Sequence, residues 1–191
     1  MSWESVKRKN ITSLKKEGKE GKVDEMLIDF LTKMNEKNNF GTSSSCAGRI
    51  MLIDIPSDGK KNKTVRPAVW HREVNVEEFW KILENYSGNE LWFKQEPYIL
   101  HIVCKDLNAA QQVLKIKGSR GLKRGGIFVI THDKVMIELE GTKKMEFPVK
   151  KENKILLTKE SAEFMLQQAN KKLTSNYKEL DGIMDVFVKE L

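Results

Sequence analysis

In Leu91-Trp92-Phe93-Lys94-Gln95-Glu96-Pro97-Tyr98-Ile99-Leu100-His101-Ile102-Val103-Cys104, residues 91–94 and 98–104 read as strand, broken or bent at Glu96-Pro97. Aromatic and branched residues fill a pleated, half-buried surface well. A proline inside such a run interrupts its hydrogen-bonding ladder. Alternation then puts His101 on the face of Ile99 and Val103, and Cys104 on the other.

Upstream of this run, Asn75 is placed to cap a helix, with Glu78 at the capping-box position and Phe79, Ile82, Leu83 and Tyr86 as its buried face. Thr64 to His71 reads as a strand returning from a lysine-rich hairpin tip at 60–63. Val23, Met26, Leu27, Phe30, Leu31 and Met34 recur at three- and four-residue spacing, which predicts an amphipathic helix. A weaker helical stripe covers residues 2–20. Downstream, Asp106 caps a helix carrying Ala109, Ala110, Val113 and Leu114. A hairpin follows across His132-Asp133-Lys134, with short strands at 145–149 and 154–157, and a long helix runs from Thr158 to the terminus. The pattern predicts a single α+β (mixed α/β) domain over residues 1–191, a mixed sheet flanked by helices with a long C-terminal helix. Two strand–helix–strand passages, at 49–104 and 98–139, suggest a duplicated unit, although no repeat in the residues supports one.

Apolar residues make up 39% of the 191 and charged residues 32%, a globular composition. The net charge of +7 favours a polyanionic partner such as nucleic acid. With 27 acidic residues against 34 basic ones, that signal is moderate. No stretch is apolar and long enough to span a bilayer, and the N-terminus lacks a signal core, so the expected location is cytoplasmic. The cysteines are Cys46 and Cys104, and no Cys, His and carboxylate cluster has zinc spacing, so no metal is expected.

The chemistry concentrates in Gly41-Thr42-Ser43-Ser44-Ser45-Cys46-Ala47-Gly48-Arg49-Ile50. Small, donor-rich residues leave room for a molecule against the backbone, and Arg49 offers a planar cationic fork for carboxylate or phosphate. A Ser-rich turn feeding a strand reads the same residues without a ligand. His71 and His101 are the candidate bases, because imidazole titrates near neutrality. Glu96 is a candidate partner for a substrate amine. Lys60, Lys61 and Lys63, with Arg120, Lys123 and Arg124 around the glycine loop 121–126, are candidate phosphate contacts.

Together these pieces resemble the wybutosine-synthesising tRNA methyltransferase family, in particular its archaeal and eukaryotic third-step members. The resemblance is carried by Thr42-Ser43-Ser44-Ser45-Cys46-Ala47-Gly48-Arg49-Ile50, by His71 after a strand, by Glu96-Pro97-Tyr98-Ile99-Leu100-His101-Ile102-Val103-Cys104-Lys105, by Gly121 to Ile127, by Ala169-Asn170-Lys171-Lys172, and by Lys22-Val23-Asp24 at the first amphipathic helix. The chain departs from the pattern at Leu122-Lys123, where Phe-Arg is usual, and at Gly125, where Ser is usual. Lys123 keeps the charge and loses the fork, a role Arg124 can take over. The resemblance implies S-adenosylmethionine as cofactor, which the residues alone do not indicate, and a fold outside the Rossmann-type methyltransferases. It implies methyl transfer to the N-4 ring nitrogen of the aminocarboxypropyl-demethylwyosine base beside the anticodon of tRNA-Phe. On that reading Arg49 meets the carboxylate and Glu96 the ammonium of the base's side chain. Ser43, Ser44, Ser45, Cys46 and Gly48 then bound the substrate or cofactor site. The competing readings are a non-catalytic tRNA-binding module and a Cys–His hydrolase using Cys46 with His71 or His101.

Overall fold

At Glu96-Pro97 the chain does more than bend: it leaves one β-sheet and enters another. A computed structural model describes residues 2–56 and 64–191. Its strands are β1 (Phe40–Thr42), β2 (Arg49–Asp54), β3 (Val65–Trp70), β4 (Glu90–Glu96), β5 (Ile99–Cys104), β6 (Arg124–Ile130), β7 (Val135–Glu140), β8 (Met145–Lys151) and β9 (Lys154–Ile155). Its helices are α1 (Trp3–Lys19), α2 (Ile28–Glu36), α3 (Val76–Asn85), α4 (Leu107–Ser119) and α5 (Lys159–Glu190), with a 3₁₀ turn at Glu25–Leu27 ahead of α2. This is the expected α+β class with its long C-terminal helix. Its strands divide between two sheets in which every described pairing is antiparallel.

The chain forms two compact units. The first comprises residues 1–47, 98–142 and 177–191, and holds the four-stranded sheet in the order β1-β5-β7-β6. The second comprises residues 48–97 and 143–176, and holds the five-stranded sheet in the order β3-β2-β4-β8-β9. Each unit contains one strand–helix–strand passage, β5-α4-β6 in the first and β3-α3-β4 in the second.

In the first unit, one face of the sheet supplies Leu100, Ile102, Cys104, Ile137 and Leu139 to a core shared with α2, α4 and the last turns of α5. The 3.6-residue stripe of Phe30, Leu31 and Met34 lies in that core, and burying such a stripe is the main source of helix stability. Asp106 caps α4 by accepting from the Ala109 amide at 2.9 Å.

In the second unit, β2 is buried along Ile50–Asp54, whereas β4 alternates, with Leu91, Phe93 and Gln95 inward. Phe93 meets Phe79 edge-on at 5.9 Å and stacks on Phe147 at 5.4 Å. Pro67 sits in the edge strand β3, where a missing donor is tolerated. Asn75 caps α3 as expected, accepting from the Glu78 amide at 2.8 Å. The Glu78 carboxylate does not complete the capping box. It accepts instead from Trp70 Nε1 at 2.7 Å and from Arg72, whose guanidinium holds it below the usual carboxylate range.

Candidate functional site

The first unit gathers the Ser-rich stretch around the strand that carries His101. Leaving β1, the chain stays beside β5: the Ser43 amide donates to the His101 carbonyl at 3.2 Å, and Ser45 Oγ accepts from the His101 amide at 3.2 Å. Cys46 and Ile99 then exchange both backbone bonds, at 2.9 and 2.8 Å. Small side chains let this irregular segment lie flat on a strand edge. Of the two cysteines, Cys46 is half-buried and Cys104 buried.

The His101 side chain projects from the sheet face opposite the core. Its Nε2 lies 2.9 Å from Glu138 Oε2, directly across on β7, and its ring lies 5.2 Å from that of Phe128. A carboxylate on one ring nitrogen favours the tautomer in which the other nitrogen carries the lone pair.

Beside the serines is a cavity of about 420 Å³ between α1, the 22–23 segment, Thr42–Ser45 and the turn at Asp133-Lys134. Small-molecule sites run from roughly 300 to 1,000 Å³. Two of its polar atoms, Ser43 Oγ and Asn10 Nδ2, are buried without a hydrogen-bond partner among the described residues. Buried polar groups are nearly always satisfied, so this pair fits a ligand with donors and acceptors of its own. Glu17 and Asp133 stand beside Lys9, Lys22 and Lys134 on the same walls, a mixed-charge lining suited to a zwitterion.

The second unit gathers Gly48, Arg49 and Glu96. Arg49 opens β2 opposite Glu96 at the end of β4, and its Nε and Nη2 reach Glu96 Oε2 at 3.1 and 3.0 Å. Their side chains are 31% and 29% exposed, so the pair remains accessible. Gly48 has φ +102°, and a Cβ there would stand 2.7 Å from Asn176 Nδ2 and 2.9 Å from the Glu96 carbonyl oxygen. Glycine is required at this position by conformation and by space. His71 lies in this unit too, exposed just after β3. Asn170, in the 169–172 segment of α5, holds that region by bonding both the amide and the carbonyl of Val74, at 3.0 and 2.9 Å.

Of the expected phosphate contacts, Lys60, Lys61 and Lys63 lie outside the described residues. Arg120, Lys123 and Arg124 belong to the first unit and are exposed. Arg120 pairs with Glu190 at 2.9 Å, and Arg124 lies 3.7 Å from Glu140. Arg120 and Lys123 also line a cavity of about 680 Å³ with Lys178. Gly125, where the family pattern has Ser, has φ +86°, and a Cβ would strike the Glu138 carbonyl.

Several neighbours of these residues were not among the site residues expected from the sequence. Asp24 Oδ2 accepts from the Ala47 amide at 2.6 Å and so anchors the Ser-rich stretch. Burial, then the charges of Asp24 and Cys46, push the Tyr177 phenol up to about 12. The Tyr98 hydroxyl donates to Glu179 at 3.1 Å, and burial first, then that carboxylate, drives its acidity far down. All these residues belong to the first unit. Their spacing in the chain, up to 81 residues for Tyr98 and Glu179, matches no local motif.

Comparison with known proteins identifies relatives along nearly the whole chain. The family model described as Methyltransferase TYW3 matches residues 5–189. A protein of Thermococcus sibiricus is 30% identical over 188 residues, 98% of this chain and 95% of its own length. One of Methanocaldococcus jannaschii is 32% identical over 174 residues, 91% of this chain and 90% of its own. Both are named tRNA(Phe) 7-((3-amino-3-carboxypropyl)-4-demethylwyosine(37)-N(4))-methyltransferase. A solved structure of a Pyrococcus horikoshii protein superposes with a TM-score of 0.88 at 29% identity, covering 100% of this chain and 97% of that one. No helix among the described residues is long and apolar enough to cross a membrane. With its family model matched almost end to end, the chain belongs to the TYW3 methyltransferase family.

Proposed function

We propose that this protein transfers a methyl group from S-adenosylmethionine to the N-4 nitrogen of the aminocarboxypropyl-demethylwyosine base of tRNA-Phe. The observation that carries this reading is the match, over nearly the whole chain, to relatives named for that reaction. As an enzyme of tRNA maturation it is placed in the cytoplasm.

The residues fit the chemistry. S-adenosylmethionine supplies an electrophilic methyl group when bound. The cavity beside Ser43–Ser45, with its two unsatisfied polar atoms and mixed-charge walls, is the candidate place for that zwitterionic molecule. Methyl transfer is an in-line displacement, so the protein's task is alignment, and Cys46 has no need to attack. The acceptor nitrogen is a weak nucleophile while protonated, and His101 or His71 takes that proton as general base. Glu138 beside His101 orients the imidazole for this role. The aminocarboxypropyl group is itself a zwitterion. Its carboxylate displaces Glu96 from Arg49 while its ammonium takes Glu96, so each charge of the resting pair finds a substrate partner. Arg120, Lys123, Arg124 and the lysines at 60, 61 and 63 meet tRNA phosphates.

Purified protein is tested for transfer of labelled methyl to tRNA carrying the demethylated base, with the His71→Ala and His101→Ala variants alongside. Transfer by wild type that collapses in one histidine variant supports the reading and names the base. Unchanged turnover in both variants at saturating S-adenosylmethionine removes the base assignment. Absence of transfer in the wild type removes the function.

A further inference from the structure

We propose that the open face of the four-stranded sheet is a stacking platform for an unpaired RNA base, with the Phe128 ring as its contact surface. The proposal rests on the tRNA reading and adds a base contact to it.

The face is defined by strand parity. On β5 and β7, Leu100, Ile102, Ile137 and Leu139 point into the core, so Ile99, His101, Met136 and Glu138 point away from it. On β6 the register slips between Ile127, opposite Ile137, and Val129, opposite Met136. Phe128 is the extra residue of this β-bulge, and bulges re-aim side chains beside functional sites. Its ring lies 5.2 Å from the His101 ring and tilts 36° to it, on the open side, yet Phe128 stays 50% exposed. Phenylalanine is among the residue types most often buried. Here one is held by a bulge and a neighbouring ring with half its surface in water.

The surroundings select the occupant. Single-stranded bases are bound by stacking on aromatic side chains and by hydrogen bonds to their edges. Phe128 supplies the plane, and the other ring nitrogen of His101 and the Glu138 carboxylate supply hydrogen-bond acceptors next to it, suited to a base's exocyclic amine or ring N–H. Arg124, on the same strand and 50% exposed, supplies positive charge for the adjoining phosphate. The other conceivable cover is a second copy of the chain added along the edge strand β6. A net charge of +7 opposes self-association and favours a polyanion.

The test uses the full chain with Phe128→Ala, Phe128→Leu and Phe128→Trp. Equilibrium binding of the precursor tRNA at fixed salt is measured with methyl-transfer kinetics, sedimentation and calorimetric binding of S-adenosylmethionine. Base–aromatic stacking predicts a roughly 5- to 150-fold loss of tRNA affinity, matched by a rise in KM, for both Ala and Leu. Trp, with a larger plane, retains binding, and S-adenosylmethionine binding is unchanged in all three. Leu binding tRNA as well as Phe overturns the proposal, and that comparison decides it even if the Ala variant does not fold. Unchanged tRNA affinity with loss of a wild-type dimer overturns it in favour of a second copy. The two readings fail separately. Wild type that binds tRNA in a Phe128-dependent way without methyl transfer leaves the platform standing and removes the enzyme. Active wild type with an unchanged KM in Phe128→Ala removes the platform alone.

Discussion

Arg49 and Glu96 stand opposite each other on adjacent antiparallel strands and spend two nitrogens on one carboxylate oxygen, at 3.1 and 3.0 Å. On the function proposed above, a zwitterionic side chain offers each member of this pair a new partner.

Because the pair is about one-third exposed, its own contribution to stability is small, about 1 kcal/mol or less. Charge-assisted bonds to a substrate zwitterion are each worth roughly 1.5–3 kcal/mol. Arg49→Ala is therefore expected to raise KM for the precursor tRNA by about tenfold or more, while urea unfolding shifts little. Arg49→Lys, which keeps charge and loses the planar fork, falls between. The zwitterion exchange is refuted by equal KM values for wild type and Arg49→Ala.

Gly48, one residue before that pair, makes a different prediction. Gly48→Ala forces a Cβ against the Glu96 carbonyl oxygen and Asn176 Nδ2 at φ +102°. The conformational strain alone costs about 1–3 kcal/mol. Removing the side-chain partner in Gly48→Ala/Asn176→Ala is not expected to restore stability, since the backbone carbonyl remains. Urea midpoints of the single and double variants check this, and a double variant as stable as Asn176→Ala refutes it.

These two positions also show what the sequence could reveal. Local patterns carried the helices well: Phe30, Leu31 and Met34 define a stripe by spacing alone, and Asn75 and Asp106 announce their caps. The break at Glu96-Pro97 was visible as a proline in a strand. That it separates two sheets was not, because sheet membership depends on β7 (Val135–Glu140) and β8 (Met145–Lys151), both far downstream of the break. The Ser-rich run and Arg49 stood out by composition. Asp24, Glu138 and Glu179 did not, since one carboxylate of 27 signals nothing until folding sets it against Ala47, His101 or Tyr98.

Lys150 illustrates the same limit and is testable. The slip between Leu91 and Trp92 places Val149 and Lys150 both inside, against simple alternation. Lys150 Nζ donates to the Leu83 and Tyr86 carbonyls at 2.5 and 2.6 Å, closing the C-terminal end of α3 where cations are favoured. Lys150→Met keeps the stem and strands both carbonyls, so a loss of about 2–3 kcal/mol is expected in urea unfolding. A midpoint equal to wild type refutes the capping role.

Alkaline pH gives the last prediction. Burial, then the charge of Asp106, push the Cys104 thiol up to about 12 from an ordinary value near 9.0, and the residue is fully buried. The unfolded chain therefore releases this proton first as pH rises. Between those two values the folded state binds more protons than the unfolded one, so stability falls with pH, by roughly 1.4 kcal/mol per unit from this thiol. Below the unfolded value both states hold the proton and the thiol adds no pH dependence. Tyr86, Tyr98 and Tyr177 shift in the same direction and steepen the decline from about pH 10 upwards. Urea unfolding at a series of pH values from 8 to about 11 measures the slope. Cys104→Ala lowers stability throughout by opening a small void, and its slope between pH 9 and about 10 is expected to be shallower than wild type. Parallel slopes for the two proteins refute the assignment to Cys104.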